Sequence, residues 1–424
     1  MSLTLLIIAI IVLFLLRVPM AFAILGPSVV WFLIEGNTPH LAIRLMMQGI
    51  DSWPLLAVPL FILVGIVATR TEIADRLYDA AVLFLGPLRA GLAYVNIAVS
   101  LGFSWMSGAS LADAAGLGAI EVNHMRKKGY PAEFSVGLSA SSALISPIMP
   151  PSIPAVVFAS VAAVSTGGLF AAAVVPAFLM TLALIVLVYV WARRRPDLVG
   201  DPYDWSQVRR AFLRALPAMG APVLILGGIL GGFFTPTEAA GVGALYMLLL
   251  AFSYRTLTWK GLGLIFRDTA VITAQIMLII GASALLSWIL AREQVPQKVA
   301  EALVGLTDNP FVFLLIINVL LLILGMLLEP TSALIIVTPI LLPVALSFGV
   351  DPLQLGSIVI FNLMIGLMTP PMGGVIFVLS SVTDLPIERV FKGAAIYLPA
   401  MLIVLLLITY VPAITLWLPG LLGF

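Results

Sequence analysis

Residues Ile145 to Pro154 read ISPIMPPSIP, with Pro147, Pro150, Pro151 and Pro154 crowded between SVGLSASSAL and AVVFASVAAV. Both flanks are apolar enough to lie in a membrane. A proline inside a helix removes a backbone hydrogen bond and clashes with the preceding turn, at about 3 kcal/mol or more. No water repairs that loss in hydrocarbon, so irregular backbone at such depth is tolerated only when buried in protein or lining a wet cavity. A second break of the same kind, GLMTPPMGG from Gly366 to Gly374, carries Pro370 and Pro371. The fold is read outward from this pair.

The 424 residues are 62% hydrophobic and 10% charged, with a mean hydropathy of +1.18. Globular domains carry roughly 25% charged residues, so too little polar surface is available for a soluble body of this size. A polytopic, all-α membrane protein follows. The net charge of +1 offers no attraction for nucleic acid. The absence of cysteine excludes disulfides, thiol catalysis and cysteine metal sites. His40 and His124 are far apart in loop-like sequence, which speaks against a histidine metal centre. Leu3 to Leu16 is apolar and is followed by Ala21-Phe22-Ala23, but no basic residue precedes it and Arg17 follows. That charge order is wrong for a signal peptide, and the segment is expected to stay as a first span.

At about 20 residues per span, spans are expected near 2–16, 19–34, 53–69, 131–165 (broken), 168–191, 216–233, 237–253, 268–291, 352–383 (broken) and 394–418. Two more apolar stretches, 88–125 and 310–348, are too long for one helix and too short for two. Each has an interruption at its middle: Ser107-Gly108-Ala109-Ser110 in the first and Gly325 to Thr331 in the second. They are expected to be re-entrant hairpins. With the N-terminus outside, the inside segments then hold Arg17, Arg70, Arg76, Arg89, Arg126, Lys127, Lys128, Arg193 to Arg195, Arg209, Arg210, Arg214, Arg255, Lys260, Arg267, Arg389 and Lys392. Arg44, Arg292 and Lys298 stay outside. That is 18 of the 21 basic residues inside, a strong positive-inside bias. Both termini are then on the outer side.

The halves repeat. Arg70 pairs with Arg292, Pro87 with Pro310, Gly108 with Gly325, Pro131 with Pro352 and Met149 with Met368, at offsets of 222, 223, 217, 221 and 219. The first hairpin opens inside and the second outside, so the repeat is inverted. Inverted repeats with discontinuous helices are the layout of secondary transporters, with sites near the midplane. The domain division expected is 1–70 scaffold, 71–87 amphipathic arm, 88–165 first transport region, 166–291 scaffold with the inter-repeat loop, 292–309 second arm, 310–383 second transport region and 384–424 C-terminal helix. The basic loop Arg193 to Arg214 reads as an anchor at the cytoplasmic surface.

At the breaks, the carbonyls of Ser146, Pro147, Met149, Gly366 and Met368 lose their usual donors, and a freed carbonyl is costly unless something replaces the bond. A desolvated Na⁺ suits them, and the half-helices beyond present amides and a positive dipole end to a carboxylate. The bland alternative is a proline kink, which two Pro-Pro pairs at repeat-related positions disfavour. Ser104, Ser107 and Ser110 cluster with Gly108 at the first tip; Glu329, Pro330, Thr331 and Ser332 form the second. An acid in the membrane is a functional candidate by default. Glu329 either supplies charge near a cation or holds the tip through backbone hydrogen bonds, and Asp113 stands in a comparable place. Their occurrence in both halves fits an intramembrane aspartyl protease poorly. Asn96, Asn318 and Asn362 read as interhelix glue, and Ser139 to Ser142 as close packing.

The run SWMSGASLADAAGLGAIEVNHMRKKGYPAEFSVGLSASSALISPIMPPSIPAVVFA, with LLAVPLFILVG before it and ILGMLLEPTSALIIVTPILLPVALSFGVDP and IGLMTPPMGGVIFVLSSV after, resembles the large membrane subunit of the tripartite ATP-independent periplasmic (TRAP) transporters, the M protein. The resemblance covers nearly the whole chain. It implies no enzyme and no cofactor, but a Na⁺-driven symporter of the bacterial inner membrane that takes up an organic acid such as a C4-dicarboxylate, a sialic acid or another sugar acid. It implies an elevator-type transport domain moving against a scaffold, a small four-helix Q subunit, and a periplasmic substrate-binding P protein. One sodium site would join Ser104, Ser107 and Gly108 to the carbonyls of Ser146 and Met149. The other would join Gly325 and Glu329 to Gly366, Met368 and Thr369. Substrate would meet Ser110, Pro150, Pro151, Ser152, Pro370, Pro371 and Gly373. Two departures bear on ion ligation: Gly-Ala-Ser at the first tip where Gly-Ser-Ser/Ala is commoner, and Glu329 where Asp is usual. No fused Q region is visible, so that subunit is expected to be separate. The competing reading is a single-component Na⁺- or H⁺-coupled dicarboxylate carrier of related architecture.

Overall fold

A computed structural model describes residues 3–16, 18–198, 200, 203–371 and 373–424; Arg17, counted above among the inside basic residues, lies outside the described residues. Helices make up the described chain, with no strand among the described residues. The first half opens with α1 (Leu3–Leu15), α2 (Met20–Ile34), α3 (Pro39–Ile50), a 3₁₀ turn at Trp53–Leu56, α4 (Ala57–Arg70) and α5 (Ile73–Leu85). The first hairpin is α6 (Gly91–Ser107) returning through α7 (Ser110–Asp113), a π-turn at Ala114–Gly118 and α8 (Ala119–Lys127). The first broken helix is α9 (Ala132–Ala143), α10 (Ile145–Ile148) and α11 (Ile153–Ala162), and α12 (Thr166–Ala192) follows. After the polar loop come α13 (Trp205–Leu230), α14 (Pro236–Ser253), α15 (Trp259–Arg292) and α16 (Val295–Leu306). The second hairpin is α17 (Pro310–Leu327) and α18 (Pro330–Ser347), and the second broken helix is α19 (Pro352–Gly366) and α20 (Gly374–Thr383). The chain ends in α21 (Ile387–Tyr410) and α22 (Ala413–Leu422). Eight helices are long and apolar enough to cross a bilayer, nine if the bent pair α9–α10 and α11 counts as one span. That pair bends by 42° at the prolines that opened the sequence analysis.

Three boundaries differ from those expected. The C-terminal stretch is not one span at 394–418: α21 starts at Ile387 and stops at Tyr410, because Pro412 pushes Val411 into extended backbone (φ −120°, ψ 85°). Helices α13 and α15 begin well before the apolar runs at 216 and 268. Asp204 caps the first by accepting from the Ser206 and Gln207 amides, and Thr258 caps the second by accepting from the Gly261 amide. The amphipathic α3 was not foreseen; it packs along α15, where a Cβ on Gly49 would fall 2.3 Å from that of Ala284.

Helix α21 acts as a ruler for the inversion. It is 24 residues long, about 36 Å at 1.5 Å per residue. Near its start, Arg389 pairs with Glu133 at 3.3 Å, the Gly393 and Gly137 backbones touch, and the Tyr397 hydroxyl donates to the Phe134 carbonyl at 3.1 Å. Near its end, Gln354 Nε2 donates to the Thr409 carbonyl at 3.0 Å. So α9 begins at one end of α21 and α19 begins at the other. The two repeats run in opposite directions through the same core.

Each arm of the second hairpin has 18 residues and is sufficient in length and apolarity to reach across a bilayer, so the stretch 310–348 is not too short for two spans on length alone. What sets its depth is packing. Gly325, one turn before the tip, lies against Leu363 and Gly366 at the end of α19, while α20 carries the broken helix a further ten residues, about 15 Å. The hairpin therefore turns back partway along the broken helix. A hairpin returns to its starting side whatever its depth, so the charge bookkeeping is unchanged.

Candidate functional site

Both hairpin tips and both broken helices meet around one cavity of about 400 Å³. The first tip contributes Ser107, Gly108 and Ser110, and the first break contributes Pro147 and Ile153. The second tip contributes Glu329 and Thr331, and the second broken helix contributes Met364 and Leu367. Gly65 and Thr69 of α4 and Ile272 and Gln275 of α15 close the remaining wall.

Backbone contact holds each tip to its break. Gly108 adopts φ +60°, the left-handed region where a side chain is strained, and a Cβ there would lie 2.8 Å from the Pro151 carbonyl oxygen. In the second repeat a Cβ on Gly366 would fall 2.2 Å from the Gly325 carbonyl carbon. Glycine is required at both places by close approach of backbone to backbone.

The residues expected at a first sodium site divide as follows. Ser107 and Gly108 line the cavity; Ser104 is fully buried and donates to the Leu101 carbonyl at 2.6 Å. Ser146 donates to Asp113 Oδ2 at 2.6 Å, and Met149 is buried in the break. Asp113 Oδ1 is buried with no hydrogen-bond partner. Of the second group, Glu329 faces the cavity and caps α18, accepting from the Ser332 amide at 2.9 Å and the Ser332 hydroxyl at 3.2 Å. Gly325, Gly366 and Met368 are buried at the tip–break contact, and Thr369 donates to the Ile365 carbonyl at 2.7 Å. Of the residues expected to meet substrate, Ser110 lines the cavity. Pro150, Pro151 and Gly373 are buried beside it, and Pro370 and Pro371 are exposed. Ser152 is spent locally: its hydroxyl donates to the Pro147 carbonyl and accepts from the Ala155 amide, capping α11. Two of the carbonyls expected to be left without donors have them, Pro147 from Ser152 and Gly366 from the Thr369 amide at 3.0 Å.

The asparagines occupy equivalent places in the two repeats. Asn96 of α6 donates to Ser139 Oγ of α9 at 2.6 Å, and Asn318 of α17 accepts from Asn362 of α19 and donates to Thr409 of α21 at 3.0 Å. Sequence reasoning passed over Thr69, Gln275 and the wall of α4 and α15. Gln275 had a signal, as a lone amide in the apolar run VITAQIMLII.

Among the residues lining the cavity, Glu329 is the one ionisable side chain. The cavity thus offers hydroxyls, an amide, helix starts and one negative charge, with no arginine or lysine to meet an anion.

The family profile described as "Tripartite ATP-independent periplasmic transporter, DctM component" matches residues 7–414. The sialic acid TRAP transporter large permease protein SiaM of Vibrio cholerae is 39% identical over 405 residues, covering 95% of each chain. The C4-dicarboxylate TRAP transporter large permease protein DctM of Pseudomonas aeruginosa is 38% identical over 388 residues, covering 90% of each. Among solved structures, the YdaH transporter of Alcanivorax borkumensis, described as having an unusual topology, aligns with a TM-score of 0.58 at 16% identity. That alignment covers 90% of this chain and 87% of that one, a likeness of fold.

Proposed function

This chain belongs to the DctM-component family of tripartite ATP-independent periplasmic transporters, a multi-pass membrane permease and not an enzyme, and on that premise we propose that it takes up an organic acid by Na⁺ symport. The observation that carries the coupling is the charge of the cavity. Its one fixed ionisable group is Glu329, so a carboxylate entering alone would add a second negative charge where desolvation makes charge expensive. Cations must enter with it.

The tip–break contacts support two places for those cations. Ser107, Gly108 and the unpartnered oxygen of Asp113 stand near the first break, and Glu329 and Gly325 stand near the second. The substrate carboxylate would lie between them, near Ser110 and the start of α11, whose amides and dipole end favour an anion. The relatives named for sialic acid and for C4-dicarboxylates support an organic acid as cargo.

In this reading the regions 88–165 and 310–383 form a transport body that shifts as an elevator against the scaffold of 1–70 and 166–291, with the arms 71–87 and 292–309 as connectors. The partners are a small Q subunit and a periplasmic binding protein that delivers the acid, in a bacterial inner membrane with both termini periplasmic. The test is uptake in proteoliposomes with the binding protein supplied. Uptake that requires Na⁺ and the binding protein is expected. Uptake undiminished when K⁺ replaces Na⁺ would overturn the coupling, and uptake without any soluble protein would favour the single-component carrier.

A further inference from the structure

Behind the first hairpin lies a polar chain that the sodium sites do not use. Glu121 of α8 is 3% exposed. Its Oε2 accepts from Asn96 Nδ2 and from Ser139 Oγ at 3.3 Å, while its Oε1 is buried without any partner. Glu121 has no ion pair among the described residues. An ionised carboxylate so placed would leave a full charge uncompensated, whereas a neutral acid leaves one hydroxyl without an acceptor, a far smaller penalty.

The orientation of Asn96 decides which cation neutralises it. Its amide nitrogen points at Glu121 and Ser139, and its Oδ1 is taken by the Ser142 hydroxyl at 2.8 Å, which in turn accepts from Ser100 at 3.0 Å. A metal cation needs oxygen lone pairs, and here the amide turns its N–H groups toward the carboxylate. We infer that Glu121, held by Asn96 and Ser139, is a proton-binding site, occupied by one proton in this conformation and exchanging it with cytoplasmic water. This rests on the proposed transport function for its role in the cycle, though not for the proton itself.

The surroundings supply one exit. One turn beyond Glu121, the exposed His124 shares a hydrogen bond with the Tyr78 hydroxyl at 2.8 Å. Asp113 stands two turns earlier on the same arm and is bonded to Ser146. Helices α6 and α20 carry no Asp, Glu, Lys, Arg or His, and Glu133 of α9 is paired with Arg389. The other titratable or charged groups of these elements are Asp75, Arg76, Tyr78 and Asp79 of α5, Tyr94 of α6, and Arg126 and Lys127 at the end of α8. The second repeat has no counterpart, since the arm equivalent to α8 is the apolar stretch of α18.

Infrared spectroscopy of the purified full chain, unlabelled and ¹³C-glutamate-labelled, tests the proton directly. The wild type should show a neutral carboxylic-acid carbonyl band that shifts with the label and disappears in Glu121→Gln. Absence of a glutamate-dependent band, or its persistence in Glu121→Gln, would overturn the assignment whatever the protein transports. The same band in the labelled wild type keeps the test valid if the variant folds poorly. In proteoliposomes at saturating Na⁺, raising the pH on the cytoplasmic side should slow wild-type uptake, by at most about tenfold per unit for one proton. Uptake by Glu121→Gln should stay flat. A variant that retains the wild-type pH profile assigns it to His124 or Asp113 and refutes the role given to Glu121; a variant whose half-saturating Na⁺ shifts instead points to a sodium ligand and refutes the proton.

Discussion

Gly366→Ala tests whether the contact between second tip and second break is the ion-binding element. An added Cβ would lie 2.2 Å from the Gly325 carbonyl carbon, 2.4 Å from its oxygen and 2.5 Å from its Cα. Carbon contacts settle at about 3.5–4.0 Å, so the tip and α19 must part by about 1.3 Å. No flexible side chain stands there to yield; backbone meets backbone. Overpacking of this kind costs about 1–3 kcal/mol. If the strain falls on the Na⁺-loaded form, Na⁺ affinity should drop by about five- to 150-fold, converted at 1.4 kcal/mol per decade. Gly393→Ala is the matched control. Its Cβ would meet the Glu133 carbonyl oxygen at 2.2 Å in the α9–α21 crossing, away from the cavity lining. Thermal unfolding of detergent-purified protein across a Na⁺ series reads both quantities. Both variants should lower Tm, and Gly366→Ala alone should shift the Na⁺ concentration giving half-maximal stabilisation. An equal Na⁺ shift in the two variants, or none in Gly366→Ala, refutes the assignment of the second site.

Four further outcomes are expected. Glu329→Gln should weaken Na⁺-dependent uptake at least tenfold while nearly preserving Tm, since a side-chain carbonyl can still cap α18; unchanged Na⁺ dependence in uptake assays would count against it. Ser152→Ala removes the cap of α11 and a donor to Pro147, and should destabilise by about 1 kcal/mol in denaturant unfolding. Asn318→Ala strips partners from buried Asn362 and Thr409, with an expected loss of about 1–3 kcal/mol visible as a lower Tm. Asp268→Asn breaks an ion pair with Arg70 that is 21% and 45% exposed, and should change stability by less than about 1 kcal/mol by the same assay.

The proline pairs, the glycines at 108 and 325 and the offsets near 220 made the repeat and its hairpins legible, because prolines mark breaks and these glycines mark close backbone approaches that side-chain choice cannot hide. Helix α3 was hidden because its 12 residues are too short for a span and carry His40, Arg44 and Gln48, so it reads as a loop between spans. The early starts of α13 and α15 were hidden because charge masks a helix that emerges from the bilayer. At the site, Ser107, Gly108, Ser110 and Glu329 were legible from type and place. The buried roles of Ser104 and Ser152 were not, since a serine reads alike whether it bonds a ligand or its own backbone. Glu121 was passed over because HMRKK, starting three residues on at His124, reads as a solvated helix end.

The sequence repeat is not a unit of folding. Helix α9 of the first half takes its close glycine contact from α21 of the second, α11 packs against α18, and α15 of the second half lies along α2, α3 and α4 of the first. Each half therefore covers part of the other's packing surface, like two hands clasped with fingers interleaved. A chain stopped in the loop after α12 would leave α9 without its α21 contact and α11 without α18, baring two close-packed faces.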